Sequence, residues 1–367
     1  MAVETGTTVK PDALRAFCVR IFERLDVPTA DAEITADVLL AANLRGVDSH
    51  GVARLRRYVK GLQDGIMLAH PAEKTVSETA TTALVDAGAG LGQPVSRRAM
   101  NTAIEKAKRY GSGFVTVRNS NHYGIAGYYA MMALEHDLIG ISLTNADVLV
   151  VPTFGRDAML GTNPIAVAVP AGKEQPYVLD MATSTVPRGK LEVYNRQGKP
   201  LPLGWATDET GASTTDAARV LDNFTARRGG GLLPLGGAGE EFSGYKGYGL
   251  ALLVDILSGV LPGAGYADTI YPKTPEGKPL PADVGHFFGA ISIQAFRPLD
   301  EFQASMDDII RRMKATPKAK GAERIYIHGE KEYEMADRRL QDGIPLGTKV
   351  EADLQALARE LGVAYEL

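Results

Sequence analysis

Apolar residues recur at helical spacing near the start of the chain. Leu14, Phe17, Val19, Ile21 and Leu25 predict a helix over 11–26. A second helix is predicted from Thr29 to Leu44, with Thr29 or Asp31 as its cap, and a third from Gly51 to Leu62. The pattern then alternates. TTALVDA (81–87) reads as a strand, 94–111 as a helix with a glycine stop, and GFVTVRN (113–119) as a strand. A helix over 124–137 and a strand over 138–145 follow. From 150 to 250 the segments PIAVAVP, YVLDMAT and KLEVYN read as short strands cut by glycine and proline. GLALLVDILSGVL (249–261) reads as a buried helix, HFFGAISIQAF (286–296) as a strand, and 300–315 and 349–361 as helices. The class is mixed α and β. The middle region lacks the helices between strands that a parallel sheet requires.

Length and charge narrow the class further. At about 150 residues per domain, 367 residues predict two or three domains. The formal charge of −4 argues against a nucleic-acid partner, which needs a basic face. One cysteine, Cys18, excludes an intrachain disulfide and a cysteine-rich metal site, and points to a reducing compartment. The six histidines form no metal-ligand spacing, so no metal is expected. The longest apolar run, 249–261, is broken by Asp255 and is too short to span a membrane. The first residues carry no apolar signal region, so a cytoplasmic location is expected. Segment 229–243 is glycine-dense and reads as a mobile loop.

Four motifs carry candidate chemistry. Gly88, Gly90 and Gly92 lie between a strand and a helix, but Gln93 stands where the dinucleotide fingerprint needs glycine. Arg118 and Asn119 end the next strand, where an acid is expected. A plain strand-to-helix turn is the better reading. Asp48, Ser49 and His50 are the residue types of a hydrolase triad, but they are contiguous and no G-x-S-x-G elbow exists. Ser49, His50 and Arg54 instead form a polar group suited to a carboxylate; a helix cap beside a surface arginine is the plainer alternative. His122, in SNHYG, follows a strand and precedes a helix, where helix N–H groups would lower its pKa and suit it to proton transfer. A satisfied loop histidine explains it equally well. Lys246, in YKGYG at a helix start, offers a cation beside backbone N–H donors; alone, it reads as an exposed lysine.

These pieces, in this order, resemble one family. The blocks NLRGVDSHGVARLRRYVKGLQDG (43–65), RNSNHYGIAGYYAMMA (118–133), GTNPIAVAVP (161–170), DMATSTVPRGKLEVYNRQGKPLPLGWATDETG (180–211), LLPLGG (232–237), GYKGYGLALLVDILSGVL (244–261) and VGHFFGAI (284–291) are similar to the type-2 malate/L-lactate dehydrogenases. That family also holds sulfolactate, ureidoglycolate and diketogulonate dehydrogenases and cyclic-imine reductases. The resemblance runs from about residue 11 to 365.

It implies an α+β fold that is not Rossmann, with a cofactor domain on a largely antiparallel sheet. It implies an NAD- or NADP-dependent oxidoreductase of small 2-hydroxy and 2-oxo acids: L-malate first, then L-lactate or sulfolactate. The domain expectation is a helical unit over 1–75, a cofactor core over 76–300, and C-terminal helices over 301–367 that pack back on the first unit. A homodimer is also implied. By resemblance, His122 is the acid/base, and Ser49, His50 and Arg54 orient the substrate, with Arg54 holding its carboxylate. Asn145 and Asp147 lie beside the nicotinamide. Thr162, Asn163 and Pro164, then Met181, Ala182 and Thr183, then Lys246, line the cofactor. His328-Gly329-Glu330 stands where the family has Pro-Gly-Glu, so His328 is a departure. Lys190 agrees with the malate-type members, whereas the imine reductases carry an acid there. Arg188, His50 and Lys190 are candidates for a second carboxylate. Reduction of a cyclic imine such as Δ1-piperideine-2-carboxylate is the alternative activity, and a catalytically silent nucleotide-binding relative is the alternative class.

Overall fold

The computed structural model describes residues 5–367. The chain begins with strand β1 (Thr5–Val9) and helices α1 (Pro11–Glu23), α2 (Thr29–Leu44) and α3 (Leu55–Gln63). Next come β2 (Lys74–Glu78), β3 (Thr82–Asp86), α4 (Gly92–Tyr110), β4 (Ser112–Ser120), α5 (Ala126–Met132) and β5 (Leu138–Thr144). The middle holds β6 (Ile165–Val169), β7 (Tyr177–Met181), α6 (Arg188–Arg196), β8 (Ala206–Thr207), α7 (Ala217–Ala226), β9 (Gly231–Leu232) and α8 (Gly244–Asp255). The chain closes with β10 (Val284–Ser292), α9 (Leu299–Ala315), α10 (Glu330–Asp342), β11 (Ile344–Gly347) and α11 (Thr348–Leu361).

Seven strands form the main sheet in the order β2-β3-β4-β10-β5-β6-β7. Only β3 and β4 pair in parallel; every other pair is antiparallel. This is the expected largely antiparallel sheet, and its strand order is not that of a doubly wound fold. The one parallel pair is bridged by α4, the crossover that such a pair requires. Strand β10 sits at the centre, which accounts for its nearly continuous apolar run. Helices α4 and α5 bury Val95, Met100, Ile104, Tyr129 and Ala130 in the sheet's core. They approach closely because Gly113 and Gly140 present no Cβ to the carbonyls of Ala103 and Ala130.

A second core joins the two ends of the sequence. Leu14, Phe17, Ile21, Leu39, Leu55 and Tyr58 pack with Ile344, Leu346, Leu354 and Leu357. Strand β1 pairs antiparallel with β11, closing this unit. A third core, with Val150, Leu191, Val220 and Leu232, lies under α6 and α7.

Several elements differ from the sequence reading. KLEVYN is helical, within α6, because Pro187 starts a helix and only Leu191 in it is buried. The helix expected from Gly51 begins at Leu55, after two short 3-10 turns (Asp48–His50 and Val52–Arg54). Helix α2 starts after Pro28 with no side-chain cap. Thr29 donates to Glu23 instead, and Asp31 pairs with Arg98. Segment 249–261 is helical but buried on one face only, through Ala251, Val254, Asp255 and Ser258. Leu252, Leu253, Ile256, Val260 and Leu261 are exposed, and its end is a π-turn (Ile256–Val260). Within the glycine-dense segment, residues 231–235 are fixed by backbone bonds to Leu149, Trp205 and Thr183.

Candidate active site

The turn bearing Ser49 and His50 is locked from below. Asn43, buried at the end of α2, donates to Asp48 at 2.7 Å and accepts from the Val52 N–H at 2.9 Å. Gly51 packs directly against that amide, where a Cβ would clash. Asp48 also accepts from Arg339 of α10 at 2.6 and 2.9 Å. Asp48 is therefore a structural anchor turned toward Arg339, which further disfavours a triad. Ser49 Oγ lies 2.9 Å from His50 Nδ1, and Arg54 Nε donates to the Ser49 carbonyl at 2.7 Å. Arg54 thus meets the Ser49–His50 turn although no α-helix joins them.

His122 sits between β4 and α5. Its backbone is clamped on both sides. Asn121 donates to the carbonyls of Ala89 and Gly90, and Gly92 abuts the carbonyls of Asn121 and His122. The broken glycine fingerprint thus supports the His122 loop. Tyr123 stacks on buried His286 at 4.6 Å and on Tyr129 at 4.7 Å. Gly124, at φ +90°, supplies the left-handed turn.

The His122 ring meets two groups at Nδ1. Tyr58 Oη lies 2.6 Å away, and the Gly124 N–H donates at 3.3 Å. A backbone N–H only donates, so Nδ1 accepts and the hydrogen of the neutral ring sits on Nε2. That nitrogen has no protein partner among the described residues. The His50 and His122 rings stack at 5.7 Å.

Both histidines are held neutral. Burial pushes His122 well below its ordinary value, and Arg57, His50 and Arg54 add to the effect. Burial, then Arg54 and Arg57, bring His50 down to about 4. The cause differs from the helix-terminus effect expected for His122: α5 begins only at Ala126, and desolvation and cations dominate.

Two residues of this cluster were not singled out in the sequence. Tyr58 is fully buried, which raises its hydroxyl to about 12. Arg57 donates to Tyr271 at 3.1 Å. The signal was present: residues 52–63 hold Arg54, Arg56, Arg57 and Lys60 with no acid. On α3, Arg57 and Tyr58 follow Arg54 at the spacings that share a helical face.

The residues expected to line a cofactor are knit together elsewhere. Asn163 accepts from the Ala146 N–H at 3.1 Å and donates to the Ala251 carbonyl at 3.0 Å. Thr183 donates through its hydroxyl and its N–H to the Thr162 carbonyl. Thr183 in turn accepts from the Leu235 N–H, and Gly247 packs on the Leu235 backbone. The loops at 145–147, 162–164 and 181–183 and the start of α8 are therefore one continuous backbone ridge. Asn145, Asn163 and Thr183 are buried and hold that ridge with their side chains. Thr162, Pro164, Met181 and Ala182 are partly accessible, and Asp147 pairs loosely with Arg227.

Lys246 is exposed at the N-terminal turn of α8 and holds no carboxylate among the described residues. A free cation, helix N–H groups and an accessible backbone ridge suit an anionic dinucleotide. The His328–Glu330 turn is tied to β7: the Val178 N–H donates to the His328 carbonyl at 3.0 Å, and Gly329 abuts Val178. His328 is exposed and lies against Tyr177 at 5.4 Å. Glu330 is buried and engaged by Lys314, Arg324 and the Ile327 N–H. Arg188 is exposed and paired with Glu192.

Comparison with known proteins identifies the family. The sequence signature of the malate/L-lactate dehydrogenase family matches residues 9–355. Malate dehydrogenase of Pyrococcus horikoshii is 49% identical over 360 residues, covering 98% of this chain and 97% of that protein. Its solved structure superposes with a TM-score of 0.88 at 45% identity, covering all of both chains. L-Sulfolactate dehydrogenase of Methanocaldococcus jannaschii is 37% identical, covering 98% of each. No described helix is long and apolar enough to cross a membrane, and the described residues contain no metal-ligand cluster. The chain belongs to the malate/L-lactate dehydrogenase family and is a 2-hydroxy-acid oxidoreductase.

Proposed function

We propose that this enzyme interconverts L-malate and oxaloacetate with NAD or NADP, with L-lactate and sulfolactate as the next candidate substrates. The observation that carries the reading is the stacking of His122, whose Nε2 has no protein partner among the described residues, on His50 in the turn that Arg54 grips through the Ser49 carbonyl. A 2-oxo acid needs a cation for its C1 carboxylate and a proton donor at its C2 oxygen.

The nicotinamide, when bound, supplies or takes the hydride at C2. The ridge at 145–147, 162–164 and 181–183 and the exposed Lys246 would hold the dinucleotide. Arg54 binds the C1 carboxylate, and His50 and Ser49 orient it. In reduction, the electrons of the C2–O double bond move onto oxygen, which takes the proton from His122 Nε2. As that proton leaves, Nδ1 draws the Tyr58 hydroxyl hydrogen, so no bare imidazolate forms. Arg57 and Arg54 favour the resulting oxygen charge on Tyr58, against its burial. Oxidation runs the same steps backward.

The exposed Leu252, Leu253, Ile256, Val260 and Leu261 support a homodimer that covers this face, which light scattering tests. The single, buried Cys18 supports a reducing, cytoplasmic setting.

The functional test is oxidation of NADH and NADPH with oxaloacetate, pyruvate, sulfopyruvate and Δ1-piperideine-2-carboxylate at pH 7. Fastest turnover on oxaloacetate is expected. Turnover only on the cyclic imine, or dinucleotide binding with no turnover on any acid, overturns the reading.

A further inference from the structure

The cation cluster holds more positive charge than one carboxylate needs. The partly buried arginines elsewhere hold carboxylates: Arg98 holds Asp31 and Glu73, Arg118 holds Asp86, Arg56 holds Asp353 and Glu360, and Arg339 holds Asp48. Arg45 lies over the ring of Tyr333. Arg54 and Arg57 are partly buried, sit within reach of each other's field, and hold no carboxylate among the described residues.

Placing two like charges together, away from water and unpaired, is costly. The cost shows at Arg54, whose pKa is lowered by burial and then by Arg57. Burial acts on Arg57 as well, but its pKa stays raised, because Tyr271, Tyr58 and Asp147 favour its charge. Tyr271 accepts one Arg57 N–H at 3.1 Å, which fixes the guanidinium plane and leaves its other donors free. Arg57 directly precedes Tyr58, whose hydroxyl meets His122 Nδ1 at 2.6 Å, and its charge depresses the His122 ring.

We infer that Arg57, held by Tyr271, is the seat for a second anionic group on the substrate. Arg54 and Arg57 then take a substrate with two anionic ends, the C1 carboxylate and a carboxylate or sulfonate attached to C3, while His122 acts at C2. The chemical class is a four-carbon dicarboxylate or its sulfonate counterpart, rather than a monocarboxylate. Arg188, one of the residues expected in this role, is exposed and already paired with Glu192. The inference rests on the 2-oxo-acid reading above and adds the residue that chooses among such acids.

The test measures kcat/KM for oxaloacetate and for pyruvate in the wild type, Arg57→Leu, Arg57→Lys and Tyr271→Phe. Dinucleotide Kd and the melting curve are recorded for each. A hydrogen bond to a charged group is worth about 1.5–3 kcal/mol. The oxaloacetate-to-pyruvate ratio should therefore fall by about 10- to 150-fold in Arg57→Leu. Arg57→Lys keeps the charge but loses the fork, so its ratio should lie between those of the wild type and Arg57→Leu. Tyr271→Phe should lower the ratio less than Arg57→Leu does.

Equal losses on both acids would overturn the inference, because Arg57 would then act only through His122. A change confined to dinucleotide Kd would overturn it as well, assigning the charge to the cofactor's phosphates. A wild type that uses pyruvate as well as oxaloacetate would overturn it while leaving the dehydrogenase reading intact. A wild type that reduces neither acid overturns that reading and this inference together.

Discussion

Replacing Tyr58 by phenylalanine removes one oxygen and leaves a ring that still packs beside Phe22 at 6.5 Å in the terminal core. The lost group is the hydroxyl 2.6 Å from His122 Nδ1. The acceptor is left with only the longer Gly124 N–H bond at 3.3 Å. Leaving a buried acceptor under-satisfied costs about 1–3 kcal/mol. That cost falls on the aligned ring, so kcat should drop by at least about 5- to 150-fold at 1.4 kcal/mol per decade, and by more because the proton that Tyr58 passes to Nδ1 is lost as well. The Tyr58 hydroxyl bonds His122 rather than Arg54 or Arg57, so KM for the oxo acid and Kd for the dinucleotide should stay near wild type. Steady-state kinetics in ordinary and heavy water separates alignment from stability, because the solvent isotope effect on kcat should rise in the variant. An unchanged kcat, or a loss carried wholly by KM, would refute the assignment of Nδ1 as the rear contact of the proton donor.

The remaining predictions concern the neighbours of that bond. His122→Asn should lower kcat by on the order of 10²–10⁴ with little change in dinucleotide Kd; near-wild-type turnover would remove the role. Arg54→Lys should raise KM for the oxo acid, since lysine lacks the planar fork, and an unchanged KM would place C1 elsewhere. Removing the Arg57 charge should raise the pKa of His122, so the acid limb of kcat/KM in Arg57→Leu should move to higher pH. His286 is wholly buried, between Ser120 and Thr144, and burial depresses it to about 3. The unfolded chain binds that proton at about pH 6.5 and the folded chain does not, so stability should fall as pH drops from 6.5 toward 3, by on the order of 5 kcal/mol. Denaturant midpoints between pH 7 and 4.5 test this, and a flat profile in the wild type would contradict it.

Much of the fold was legible because its signals are local. Helix α1 shows its apolar stripe, and α4 ends at Gly111 with φ +88°, the left-handed stop that the sequence announced. What failed depends on distant partners. KLEVYN alternates apolar and polar residues like a strand, but its lone buried side chain, Leu191, packs on the third core, and Pro187 commits the segment to a helix. Strand β1 is short and polar; it exists because β11, more than 300 residues later, supplies its hydrogen bonds. Helix α10 has little apolar periodicity and is placed instead by Arg339 on Asp48 and by Tyr333 under Arg45.

The site divides along the same line, and the division says what a motif can and cannot reveal. Residue types at short spacing exposed His122, Ser49, His50 and Arg54, since each announces its chemistry alone. The geometry then separated residues with free donors or acceptors from residues whose side chains are engaged within the protein. Asn145, Asn163, Thr183 and Glu330 have side-chain partners within the protein, so any contact they make with a cofactor must use the backbone. Arg57 and Tyr58 were hidden for the opposite reason. Each looks ordinary beside Arg54 until Tyr271, 214 residues on, turns Arg57, and until His122, 64 residues on, meets Tyr58. A cation becomes informative only when the fold withholds its counter-ion. That absence is a property of space rather than of sequence, and it makes the unpaired Arg54–Arg57 pair a sharper statement about the substrate than the motifs that led to it.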